Sequence, residues 1–95
     1  MITSIEPGLY REGRWGVRIE NLVLNVPAPD AGCGEFLEFE TLTLCPIDTR
    51  CIDRPLLRAD EAAWLNAYHA TVRERLAPRL AGEALAWLQE RTRPL

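Results

Sequence analysis

The sequence contains no lysine. Its cationic side chains are all arginine, eleven of them, against fourteen aspartates and glutamates, for a net charge of −3. The missing lysines read as coding composition, and no mechanism rests on them. A mild acidic balance gives no electrostatic reason to bind a polyphosphate, so no nucleic acid partner is expected. There is no run of about 18 apolar residues, which excludes a transmembrane helix and a membrane partner from the reading. The first residues lack a basic region followed by an apolar core, so no signal peptide is read there. Histidine occurs once, as His69, and the three cysteines, Cys33, Cys45 and Cys51, are odd in number. Their spacings do not match a zinc site, and His69 sits in a different segment. Reduced thiols in a cytoplasmic protein are therefore expected. Internal repeats and low-complexity tracts are also missing. At 95 residues the chain supports one small domain at most. A chain of that size buries only about two-thirds of its unfolded surface, so its stability is modest.

Two glutamates in β-branched company are the chemically informative feature. Glu6 follows Ile2, Thr3 and Ile5, and Glu20 lies among Val17, Ile19, Leu22 and Val23. The polar segment Arg11-Glu12-Gly13-Arg14 separates the two runs, which reads as strand, turn, strand. Glu6 and Glu20 are equidistant from Gly13, so a hairpin turning there sets them opposite each other on one face. Opposed residues of an antiparallel pair have Cβ atoms about 4.5–5.5 Å apart. Two carboxylates that close repel unless a shared proton, a cation or a bound metal offsets the charge. Arg18 falls on the same face as Glu20, two residues away. Against this stands the plain fact that most hairpin glutamates are solvated, and two of them do not make a specific motif.

In chain order, strands are expected over 2–6, 16–26 and 36–45. Both faces of 16–26 carry apolar residues, which suggests a strand covered on both sides and a missing partner surface. The Pro, Gly and Asp content of 27–34 marks a loop. Glu40, in the middle of the third strand, is a rival carboxylate to Glu20. After a connector, Asp60 and Glu61 mark the first turn of a helix over 59–77. Trp64, Leu65, Tyr68, Val72 and Leu76 give it an apolar face. Pro78 ends or kinks it, and a second helix is expected over 83–91. His69 has no acidic cluster nearby and reads as a hydrogen-bonded structural residue. Trp64 and Trp87 either pack within the fold or form a partner surface.

The wording of the hairpin goes further than its spacing. Ser4-Ile5-Glu6-Pro7-Gly8-Leu9-Tyr10, followed by Gly16-Val17-Arg18-Ile19-Glu20-Asn21, resembles the last part of the catalytic domain of aminopeptidase P. These are the Xaa-Pro aminopeptidases among the pita-bread metallopeptidases. The resemblance continues through Phe39 to Leu44, Pro46-Ile47-Asp48, Ile52-Asp53, Trp64 to His69 and Glu83 to Leu88, in order, and so covers essentially the whole chain. The later motifs are similar to the longer cytosolic type with its C-terminal extension.

The resemblance implies an α+β fold: antiparallel strands from the C-terminal part of the pita-bread domain over residues 1–52, then two helices in a C-terminal extension over 53–95. It implies that Glu6 and Glu20 are two of five ligands to a dinuclear centre, with Arg18 supporting the site. It gives Glu40 no ligand role. The implied reaction is hydrolysis that releases the N-terminal residue from peptides with proline in second position. The implied cofactors are two divalent ions, usually manganese, with zinc compatible with the ligand types. The other three ligands, two Asp and one His, have no counterpart here. The chain is therefore expected to be a fragment beginning at an internal Met, inactive alone, whose partners are the missing upstream catalytic part and a second copy bound through the C-terminal segment. The competing reading is a non-catalytic interaction module or a pseudo-enzyme remnant of the same fold.

Overall fold

The structure, a computed structural model, describes residues 1–29, 32 and 34–95. Cys33 lies outside the described residues. The chain divides into two compact units, Met1–Thr43 and Leu44–Leu95.

The strands of the first unit pair antiparallel throughout. β1 (Ile2–Ile5), β4 (Asn21–Pro27) and β5 (Leu37–Thr41) form a three-stranded sheet in the order β1-β4-β5. β2 (Gly8–Arg11) and β3 (Trp15–Arg18) form a separate two-stranded ribbon. One register runs through both: Ile2 opposes Leu24, Ile5 opposes Asn21, Gly8 opposes Arg18 and Arg11 opposes Trp15. The hairpin turns at Gly13, where the Arg14 amide donates to the Arg11 carbonyl at 2.9 Å. Gly13 has φ +68° and Glu12 does not have a positive φ, the pattern of a type II turn. Nothing lies within 4 Å of where a Gly13 side chain would start, so only backbone conformation is at stake. Gly13→Ala should destabilise the chain by about 1 kcal/mol in urea denaturation, and an unchanged midpoint would show that the turn is not held.

The strand expected over 16–26 is broken at Ile19 and Glu20, and the first strand stops before Glu6. Pro7 is the cause. In this register it faces Ile19, and a hydrogen-bonded antiparallel pair exchanges two N–H···O bonds. Pro7 has no N–H to give, so only the Ile19 amide bonds across, to the Pro7 carbonyl at 3.4 Å. The third strand is also shorter than expected, ending at Thr41 rather than Cys45. Here the Leu22 carbonyl accepts from both Leu42 (2.8 Å) and Thr43 (3.4 Å), and the Leu22 amide donates to Thr43 Oγ1 at 2.8 Å. A side chain has replaced the backbone acceptor, and the ladder ends.

Among the described residues of this unit, Val23 is the one buried apolar side chain. Leu9, Trp15, Val17, Ile19, Leu22, Leu37 and Phe39 are all exposed. The sheet thus has apolar residues on both faces and covers almost none of them.

The second unit does have a core. Two one-turn 3-10 helices, Thr49–Cys51 and Arg54–Leu56, precede α1 (Ala59–Leu76), and a third at Ala77–Arg79 precedes α2 (Gly82–Arg91). Glu61 caps α1 by accepting the Arg58 amide at 2.9 Å. Asp60 and Glu61 lie in its first turn, where the helix dipole favours negative charge. Leu65, Tyr68, Val72 and Leu88 form the buried cluster, with Leu44, Ile47, Ile52, Leu76, Ala77 and Leu95 packed on it. Trp64 and Trp87 stay outside it at 52% and 53% exposure. Trp64 instead stacks on Tyr68, with ring centroids 5.4 Å apart.

Candidate metal centre

The single register of the hairpin decides where the two carboxylates fall. Ile5–Asn21 and Gly8–Arg18 are paired on either side of the break. Between them Glu6 stands opposite Glu20, so both belong to the face that carries Gly8, Tyr10, Gly16 and Arg18. Arg18 Nη2 lies 3.3 Å from Glu20 Oε2, with both side chains well exposed. With Pro7 and Ile19 as the hydrogen-bonded pair, Glu6 and Glu20 fall at the non-hydrogen-bonded position beside it, where opposed side chains approach most closely.

Tyr10 is the residue that spacing did not single out. A Cβ on Gly8 would meet its hydroxyl at 2.6 Å, and a Cβ on Gly16 would meet its Cδ1 at 2.7 Å. The ring therefore lies flat across two glycines on the face of Glu6, Arg18 and Glu20, with its hydroxyl over Gly8. The signal was present as Gly8-Leu9-Tyr10 opposite Gly16, two bare positions beside one large ring.

Glu40 opposes Leu24 in the β4–β5 register. It shares the face but is four residues further along than Glu20, roughly 13 Å at strand rise. Among the described residues, no three His, Cys, Asp or Glu side chains gather into a group that could hold a metal ion. The carboxylate oxygens of Glu6 and Glu20 suit a divalent cation in charge and hardness, but two such residues are fewer than the donors one ion takes. A shallow hollow lined by Arg11, Glu12, Arg14 and Trp15 lies at the turn and does not include them.

Of the other candidate donors, His69, Tyr68 and Asp48 are engaged elsewhere. His69 is fully buried, and its Nε2 accepts the Ile47 amide at 2.9 Å. Burial, and then the charge of Arg73, push its pKa below the usual value of 6.5. Tyr68 beside it grips Cys45, accepting from the amide at 3.2 Å and donating to the carbonyl at 2.9 Å. Asp48 is held well below the usual carboxylate range by hydrogen bonds from the Arg50 side chain and amide. Cys45 and Cys51 are free and exposed.

A family model described as the C-terminal region of peptidase_M24 matches residues 35–95. The chain belongs to that family. The peptidase M24 match begins after the hairpin, but individual relatives span the whole chain. Xaa-Pro aminopeptidase 2 of Sus scrofa is 41% identical over 99 aligned positions, covering all of this chain and 15% of the relative. Aminopeptidase P2 of Arabidopsis thaliana is 46% identical, over all of this chain and 14% of its own length. A crystal structure of an X-prolyl aminopeptidase from Caenorhabditis elegans, described as a cytosolic enzyme with a di-nuclear active site, superposes with a TM-score of 0.88 at 39% identity. It covers 99% of this chain and 16% of that one. The chain thus spans about one-seventh of the curated relatives it matches. Its fold is α+β, antiparallel strands and two helices, corresponding to the C-terminal part of a pita-bread aminopeptidase.

Proposed function

We propose that the chain serves as the C-terminal part of a dinuclear-metal Xaa-Pro aminopeptidase, with Glu6 and Glu20 as two of its metal-ligating carboxylates. The observation that carries this reading is the register, which sets Glu6 opposite Glu20 with Arg18 at 3.3 Å from the latter. Two bound divalent ions would supply an activated water and a Lewis acid for cleaving the bond before a proline in second position. The chain's own residues orient the donors. Arg18, 3.3 Å from Glu20, would orient that carboxylate and offset its charge beside Glu6. Manganese fits an all-oxygen pair of this kind, and zinc is compatible with it. Residues 1–52 would supply catalytic-domain strands and 53–95 the helical extension, a division by role, whereas packing divides the chain after Thr43. The C. elegans enzyme's description as cytosolic, with exposed free thiols at Cys45 and Cys51, supports a cytoplasmic setting.

A second role rests on a different observation. Trp64 and Trp87 each leave about half of their surface uncovered. Exposed aromatic surface of this kind suits self-association through the helical unit, as a dimerisation segment or as a non-catalytic interaction module. Analytical ultracentrifugation of the chain and of Trp87→Ala distinguishes the two roles, because a metal-ligating hairpin has no need of Trp87.

The 95-residue chain by itself should release no N-terminal residue from an Xaa-Pro peptide, even with added manganese. Two exposed carboxylates provide neither the five or six donors each ion takes nor a site that excludes water. Measurable release that disappears in Glu20→Gln would overturn this expectation.

A further inference from the structure

Among the described residues, the most tightly enclosed titratable group is not in the hairpin. His69 has 0% exposure in the middle of α1. Its Nε2 is an acceptor, taking the Ile47 amide at 2.9 Å, so the ring proton resides on Nδ1. Nδ1 is itself buried and, among the described residues, has no hydrogen-bond partner. The imidazole is thus poised as a neutral acceptor, and no described residue is arranged to welcome a second proton.

The charged and titratable groups around it give no relief. On α1, Tyr68 spends its hydroxyl on Cys45, and Arg73 donates to the Thr92 carbonyl at 3.1 Å. On the connector, Asp48 is paired with Arg50 at 2.7 Å, and the Cys45 thiol donates to the Pro46 carbonyl. From α2, Arg91 acts on Asp48. Among the described residues no ion pair includes His69, and the one charge that bears on it, Arg73, is of the same sign as an imidazolium.

We propose that His69 is an acid-sensitive latch within the Leu44–Leu95 unit: a proton taken up at Nε2 breaks the bond from the Ile47 amide and releases the connector from α1. An imidazolium at Nε2 is a donor, and it would face another donor, the Ile47 N–H. The two cannot both stay buried, so protonation and release are one event. The direction follows from linkage. The folded state resists the proton that the unfolded or released state accepts at the ordinary value near 6.5. The latch therefore contributes its full stability above pH 6.5, and loses it as the pH falls through that value toward the lowered folded one. Over that window the closed-to-open ratio falls by up to about tenfold per pH unit.

The chain has a single histidine, so its titration is unambiguous. Proton NMR of the full 95-residue chain should place the His69 Hε1 midpoint clearly below 6.5. Hydrogen exchange should show the Ile47 protection factor falling by up to about tenfold between pH 7.5 and 5.5. In His69→Gln, whose side-chain oxygen can take the Ile47 amide without titrating, that acid-induced loss should disappear. A His69 midpoint at or above 6.5 overturns the proposal, including the random-coil titration of a chain that does not enclose the ring. So does an equal acid-induced loss in a folded His69→Gln chain. Should that variant not fold, the wild-type midpoint and the Ile47 exchange profile decide alone.

Discussion

Mixing this chain with the portion of the C. elegans X-prolyl aminopeptidase that it does not match should yield Xaa-Pro cleavage that neither piece shows alone. Glu20→Ala in the chain should lower that activity by ~100-fold or more. Substitutions in the groups that merely orient metal ligands cost about 10–100-fold, and a ligand itself should cost at least as much. Arg18→Leu should fall within the smaller range, and Glu40→Ala, about 13 Å along the strand, should keep most of the activity. The driving force for docking is the uncovered sheet. Val17, Ile19 and Leu22 are 51%, 47% and 46% exposed, whereas Val23 is already buried and has nothing left to contribute. Covering a fully exposed Leu or Ile is worth roughly 1.5–3 kcal/mol, so three half-covered ones recover about 2–4. Association costs at least about 4 kcal/mol. Docking therefore also needs the more exposed Leu9, Leu37 and Phe39, together with backbone pairing along the open sheet edges. If the pieces bind but Glu20→Ala is as active as the parent mixture, Glu20 is not a ligand and the proposed function fails at its central residue.

Leu88→Ala should remove about 2–5 kcal/mol from the unfolding free energy, read from urea denaturation followed by tryptophan fluorescence. Leu88 is 1% exposed and is the buried apolar residue that α2 contributes to the cluster of Leu65, Tyr68 and Val72 on α1. The deletion loses transfer energy and leaves a cavity between α1 and α2 that the surrounding side chains relax into only partly. In a domain of this size that loss is a large part of the total stability. A change below about 1 kcal/mol would mean that α2 is not packed as described.

The hairpin centre, the opposition of Glu6 and Glu20 and the two helices follow from local patterns: equal spacing about Gly13, period-two alternation, and apolar residues at helical intervals. These arise within one hairpin or one helix and are legible in the chain alone, as is the motif order that places it among the peptidase M24 relatives. The break at Ile19 and Glu20 follows from that same register, which brings Pro7 opposite Ile19, whereas β propensity alone gave an unbroken strand over 16–26. Two features were decided instead by tertiary structure, each because it depends on a partner distant in the chain. The strand ending at Thr41 stops because the Thr43 hydroxyl takes over the Leu22 amide from 21 residues away. His69 is drawn into the core between Tyr68 and Val72 because the connector offers its lone pair the Ile47 amide, 22 residues upstream. A buried polar group is stable only when its partner is met, and that meeting is made by the fold.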